Sequence, residues 1–319
     1  MDDIHDLTDR FSRSITVLDG GLATELEAQG HDLSGPLWSA KMLRDEPEAI
    51  AAAHRAFFEA GAQVAISASY QASFPGFESV GIGPEKAAAL MRRSVTIAQN
   101  VRDELRPDGG LVAASVGPYG ATLMDGSEYR GDYDLGVEEL REFHRPRLET
   151  LATAGAELFA VETIPCLAEV EAICAELAGS RHPAWMSFSV RDGRLASGEP
   201  LEEAFRMASD VEEVVAVGVN CCPPADVAPA LEIAHAVTTK PLLAYPNSGQ
   251  TWNAQTREWE GESRFSLSMV ATWKRLGAKT IGGCCRVTPD DIRALATYLA
   301  KHAPRYVRPV RIRSDSPFG

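Results

Sequence analysis

The chain has 319 residues, 45% hydrophobic and 24% charged, the balance of an ordinary globular protein and neither disordered nor collagenous. With 31 basic against 45 acidic residues the formal charge is −14, a field that repels phosphate backbones and anionic headgroups, so no nucleic-acid or membrane partner is expected. No apolar run reaches the roughly 20 residues of a membrane helix, and the opening MDDIHDLTDR is acidic where a signal peptide is basic and then apolar. A cytoplasmic protein is expected.

Read in chain order, short apolar runs alternate with amphipathic stretches. Eight runs read as strands, ending near Leu18 (SITVLDGG), Ser69 (QVAISAS), Val116 (LVAASVG), Glu162 (ELFAVET), Val190 (AWMSFSV), Asn220 (VVAVGVN), Tyr245 (PLLAYPN) and Gly282 (AKTIGG). They are nearly continuous in apolar character, as strands covered on both faces must be. After them come helical stretches at about 46–60, 83–105, 136–155, 166–179, 199–209, 224–237, 263–276 and 289–301. Thr288 with Pro289, Asp290 and Asp291 reads as an N-cap, a first-position proline and first-turn acids; Gly30, Gly61 and Gly277 stand where helices stop. Eight strand and helix units without a Pro/Ser-rich linker predict an α/β fold, a single (β/α)8 TIM barrel domain across 1–319, in preference to an open doubly wound sheet. The insertions at about 27–45 and 117–135 are too long for plain connectors and read as lids or pocket walls.

In such a barrel chemistry sits at the carboxyl ends of the strands. The sixth strand runs into Asn220, Cys221 and Cys222; the eighth runs through Gly282 and Gly283 into Cys284 and Cys285. Vicinal cysteines do not readily pair with each other, because the small ring strains the peptide between them. Buried packing would explain one such pair. Two pairs converging on one rim point instead to a thiophilic cation, and in a reducing compartment to zinc. Three cysteine ligands leave one tetrahedral position open, as catalytic zinc requires. Cys221 and Cys222 point to opposite sides of an extended strand end, so one of the two is expected to bind, and chemistry alone does not choose. Cys166 and Cys174 read as packing residues.

The first strand ends in Asp19, Gly20 and Gly21, a turn whose amides can form a small nest for a carboxylate, or a plain β-turn. Glu162, after LFAV, is placed to receive an ammonium group; its plain alternative is a solvent-facing first-turn acid. A carboxylate receiver, an ammonium receiver and a thiophilic metal together fit an amino acid bearing a thiol.

LDGGLATELEAQG, SVGPYGA with DGSEYRGDY, VETIP, GVNCC, YPNSG and GGCCRVTP together resemble the homocysteine S-methyltransferase family over roughly residues 12–303. The resemblance implies a TIM barrel with Zn²⁺ held by Cys221, Cys284 and Cys285, with Cys222 as a neighbour. It implies that Asp19, Gly20 and Gly21 frame the amino-acid end of L-homocysteine, that Glu162 holds its ammonium, that Trp38 lines the pocket, and that Asn220 and Tyr245 shape the site. Because the chain stops soon after its last helix, neither the assembly segment of betaine-using relatives nor a folate or cobalamin module is expected. That favours the bacterial and plant type, which uses S-methylmethionine or S-adenosylmethionine, and a monomer or small homo-oligomer. Two other readings are a methyltransferase for another thiol or selenol, such as selenocysteine, and a non-catalytic zinc or redox-sensing barrel.

Overall fold

Every predicted apolar run supplies a strand to one sheet in this computed structural model, which describes residues 4–33, 38–253 and 258–302, without the side chains of 38–40, 251–253 and 258–259. The strands are β1 (Thr16–Val17), β2 (Val64–Ile66), β3 (Leu111–Val116), β4 (Leu158–Ile164), β5 (Ala184–Phe188), β6 (Val214–Asn220), β7 (Leu242–Tyr245) and β8 (Ala278–Ile281). Their order is β1-β8-β7-β6-β5-β4-β3-β2, with all neighbours parallel. A parallel bridge between Leu18 and Val64, with the Gln63 amide donating to the Val17 carbonyl at 2.8 Å, joins β1 to β2 and closes the ring. The fold is the expected (β/α)8 barrel.

The eight expected helices are Pro47–Ala60, Pro84–Leu105, Val137–Ala152, Leu167–Leu177, Leu201–Ser209, Pro224–Val237, Leu267–Arg275 and Pro289–Lys301. Their ends follow the local chemistry. Thr288 caps the last helix in a reciprocal pair with Asp291, and left-handed Gly61 and Gly277 (φ 115° and 100°) close two others. The expected strands run too long at several ends. β2 stops at Ile66 rather than Ser69, because the Ser67 and Ser69 hydroxyls bond each other at 2.8 Å and Ser69 reaches the Ser115 carbonyl at 2.8 Å. β5 stops at Phe188, and Val190–Arg191 pairs antiparallel with Arg194–Leu195 instead. Helices Ile4–Arg13, Leu22–Ala28, Trp38–Asp45 and Phe74–Ser79, and a hairpin of Thr251–Asn253 with Glu258–Glu260, were not expected.

Strand alternation divides the core in two. Ala65, Val112, Phe159, Met186, Val217 and Ala244 point outward into the layer under the helices, while Val64, Leu111, Leu158, Trp185 and Leu243 fill the barrel. Leu7 and Phe11 of helix Ile4–Arg13 join the interior set, with no exposure, and plug the amino-terminal mouth. Phe11 meets the Trp185 ring edge-on at 6.4 Å; Trp185 meets Tyr245 at 6.2 Å and donates its indole N–H to the Tyr245 hydroxyl at 3.0 Å. This column runs the length of the barrel and ends at the functional rim.

Candidate metal centre and substrate pocket

The same alternation sets the last inward layer. Two residues beyond Ala113, Ala160, Trp185 and Leu243 come Ser115, Glu162, Ser187 and Tyr245, and β6 contributes Asn220. Ser187 bonds the Tyr245 hydroxyl at 2.6 Å and donates to Asn220 Oδ1 at 2.9 Å; Ser115 donates to Glu162. Asn220 has no exposure and does not line the cavity. Its amide accepts from Thr163 N at 2.7 Å and donates to Thr163 Oγ1 at 2.8 Å, pinning a residue whose φ is +65°. It shapes the site from beneath.

On the continuing β6 path, strict alternation would send Cys221 outward and Cys222 inward. Cys221 takes a left-handed backbone (φ 48°), which reverses this. Cys222 packs into the outer core, and the Cys221, Cys284 and Cys285 sulfurs lie within 4.8 Å of one another. The sulfur that joins Cys284 and Cys285 is that of Cys221, the one the family resemblance implies and chemistry alone left open. Cys221 Sγ is 3.8 Å from Cys285 Sγ, and an ion with tetrahedral metal–sulfur bonds of about 2.3 Å needs sulfurs about 3.8 Å apart, so this donor set fits a metal. Hydrogen bonds from the Cys221 and Cys284 thiols hold Cys285 well below the usual thiol range, while the hydrogen bonds of Cys284 with Cys221 and Cys285 hold Cys284 well above it. The loop after β7 ties the cysteines together: the Asn247 amide donates to the Cys222 carbonyl at 3.0 Å, its side chain accepts from Cys285 N at 3.2 Å, and Pro246 O accepts from Cys284 N at 2.8 Å.

A cavity of about 260 Å³ opens beside the three sulfurs. Asp19, Glu128 and Glu162 line it, and no lysine or arginine does among the described residues. Burial pushes the Glu162 carboxyl up to about 7, with the nearby Cys221 adding to the shift and the Ser115 hydroxyl opposing it. Burial also lifts Asp19 well above the usual carboxylate range, against the Ile66 amide that donates to its Oδ2 at 2.8 Å; its Oδ1 is buried and unpartnered.

Asp19, Gly20 and Gly21 all line the cavity, but the turn lacks the left-handed backbone and the free Gly21 amide of the expected nest. Neither glycine has a positive φ, and the Gly21 amide is committed to the Val287 carbonyl at 3.0 Å. The glycines also serve close approach. A Cβ on Gly20 would stand 2.6 Å from Val287 O, and one on Gly21 would stand 2.7 Å from Cys284 O, so only glycine lets the Asp19 loop lie against the cysteine loop. Trp38 begins helix Trp38–Asp45, but its side chain is outside the described residues. Cys166 and Cys174 are buried, Cys174 in the outer core as expected.

The 117–135 insertion does build a pocket wall. It brings in Glu128 and Tyr129, and the Tyr129 hydroxyl lies 3.7 Å from Cys221 Sγ. Sequence reasoning assigned no role to Glu128, Tyr129, Tyr70 or Asn247, although DGSEYRGDY and YPNSG carry three of them.

The homocysteine S-methyltransferase family model matches residues 16–299. The chain belongs to this family. A homocysteine S-methyltransferase of Escherichia coli (strain K12) is 46% identical over 293 residues, covering 89% of this chain and 94% of the relative. A selenocysteine Se-methyltransferase of Brassica oleracea var. italica is 45% identical, covering 88% and 87%. The solved metallated form of the Escherichia coli homocysteine methyltransferase MmuM superposes with a TM-score of 0.81 at 44% identity, over 89% of this chain and 96% of that one. That this family member has a solved metallated form accords with the sulfur geometry here.

Proposed function

We propose that the protein is a zinc-dependent homocysteine S-methyltransferase that moves a methyl group from a sulfonium donor, S-methylmethionine or S-adenosylmethionine, to L-homocysteine, giving methionine. The observation that carries this is the convergence of three sulfurs from two distant loops on a cavity lined by carboxyl groups and, among the described residues, by no lysine or arginine.

Cys221, Cys284 and Cys285 would hold the ion. Zinc supplies a Lewis acid that makes a coordinating thiol give up its proton, which leaves homocysteine nucleophilic at neutral pH. Glu162 pairs with the homocysteine ammonium, its carboxylate fixed by Ser115. Asp19, held by Ile66 N, presents its free oxygen to the same end of the cavity. Tyr245 forms part of the wall beside Glu162, and its hydroxyl is immobilised by Trp185 and Ser187. A water-poor cavity strengthens each of these charge interactions and aligns the two sulfurs for in-line displacement, a positioning effect worth on the order of 7 to 11 kcal/mol at best. No general base is required.

Incubating purified protein with homocysteine and S-methylmethionine should yield methionine. Chelation should abolish this and added zinc restore it, and full activity after chelation would refute the metal's role. The selenocysteine methyltransferase relative favours a second acceptor, so homocysteine and selenocysteine should be compared in one assay. No described helix is long and apolar enough to cross a membrane. A cytoplasmic enzyme accords with the six free cysteines.

A further inference from the structure

Glu128 is not accounted for by binding homocysteine. It lies in the turn Ser127–Tyr129, held from below by Asp125, whose carboxylate accepts from Ser127 N at 2.9 Å and from the Ser127 hydroxyl at 2.5 Å. Arg130 clamps the same turn, donating to the Asp125 carbonyl at 2.9 Å and the Ser127 hydroxyl at 3.0 Å. The turn is also packed closely from the barrel side, since a Cβ on Gly120 would stand 2.6 Å from Glu128 N. From this fixed base Tyr129 and Glu128 both reach the cavity, Tyr129 with its hydroxyl on Cys221. Glu128 Oε2 is buried with no hydrogen-bond partner. A buried carboxylate oxygen without a partner costs stability, and such costs persist where a ligand supplies the partner.

Among the described residues no lysine or arginine lines the cavity to satisfy it, and Arg130, whose charge reaches Glu128, is committed to Asp125, Ser127 and Asp132. Homocysteine has a single ammonium, which Glu162 takes on the reading above. The remaining positive charges in the reaction belong to the methyl donor, its own ammonium and its sulfonium, and only the sulfonium is present because of the methyl group to be transferred. Glu162 and Glu128 enter from different elements, one from β4 and one from the insertion after β3, and the charges of both reach Tyr70 and the cysteine cluster. Asp19 lies near enough to Glu162 to feel its charge, so the three carboxyl groups fall into two anionic positions around one set of sulfurs, as a reaction between two amino-acid-sized substrates needs.

We propose that Glu128 receives the sulfonium charge of the methyl donor and so sets the site's preference for cationic over neutral donors. This rests on the methyl-transfer reading. In the transfer the donor's S–CH₃ bond breaks with its electron pair going to the donor sulfur, and a pair on the homocysteine thiolate forms the new S–CH₃ bond. The sulfonium becomes a neutral thioether and the thiolate charge is consumed. Attraction between Glu128 and the sulfonium is then strongest in the bound ground state and fades along the reaction. It acts on donor capture, and weakens as product forms.

The test is Glu128→Gln in the zinc-loaded full-length enzyme, assayed with homocysteine and S-methylmethionine, and separately with iodomethane as a neutral methylating probe. Donor KM should rise about 10- to 100-fold, while kcat, the homocysteine KM and the iodomethane rate stay within about threefold. Glu128→Asp, which keeps the charge, should restore part of the donor affinity and guards against a variant that merely folds poorly. An unchanged donor KM, or a homocysteine KM that rises as far as the donor's, overturns the assignment. A wild-type enzyme that yields no methionine with any sulfonium overturns the methyl-transfer reading as well, whereas an active wild type with an indifferent Glu128→Gln overturns this inference alone.

Discussion

Glu162→Gln should stabilise the metal-free protein while impairing its capture of homocysteine. Glu162 is only 6% exposed, and burial moves its carboxyl from the ordinary 4.5 up to about 7. The sign follows from linkage. Above about pH 4.5 the unfolded chain ionises this group while the fold still retains the proton, so stability is lost as pH rises and the loss is complete above about 7. The gap is about 2.5 pH units, and at about 1.4 kcal/mol per unit the buried charge costs about 3 kcal/mol. Glutamine has nearly the same shape, can still accept from Ser115 and carries no charge. Urea unfolding near pH 8 should therefore show the variant more stable by up to about 3 kcal/mol, with the difference shrinking toward nothing near pH 5. The cost appears in binding: loss of a buried charged hydrogen bond, roughly 1.5 to 3 kcal/mol, should raise the homocysteine KM about 10- to 100-fold. A stability difference of the same size at both pH values, or a variant less stable near pH 8, would refute the account of Glu162 as a charge held under strain for its ligand.

Cys284→Ser should lose bound metal and activity together, whereas Cys222→Ser should keep its metal and pay only about 1 to 3 kcal/mol for burying a hydroxyl in the outer core; elemental analysis and urea unfolding separate the two. Asn247→Ala, which removes the side-chain acceptor of the Cys285 amide and keeps the backbone bond to the Cys222 carbonyl, should weaken metal affinity about 10- to 100-fold in a chelator competition, and unaltered affinity would mean that the loops hold their register without it. Phe11→Ala should cost about 3 to 5 kcal/mol in unfolding experiments yet leave metal content intact, because the plug lies at the opposite mouth from the sulfurs.

The barrel was legible because both-face burial leaves a periodic mark on composition, and the cysteine pairs were legible because their positions at two strand ends followed from that barrel. What escaped depended on single dihedrals and on contacts remote in sequence. The choice of Cys221 over Cys222, implied by the family resemblance but not derivable from strand alternation, turns on one left-handed residue. The Asp-Gly-Gly turn read as a nest because glycine permits one, while the actual reason lies in the Val287 and Cys284 carbonyls, more than 260 residues away in the chain. Glu128 sits in an insertion whose length marked it as a pocket wall, yet no periodicity indicates which of its acids turns inward. Helix Ile4–Arg13 precedes the first strand and lies outside the strand and helix alternation that exposed the rest.

The aromatic column along the barrel axis has an optical consequence. The Trp185 indole N–H is bonded to a hydroxyl on the cavity wall, so a molecule that displaces Tyr245 changes the polarity at the indole and shifts its emission. With the other four tryptophans replaced by phenylalanine, occupancy of the cavity is thereby readable by intrinsic fluorescence from the middle of the molecule, without a label.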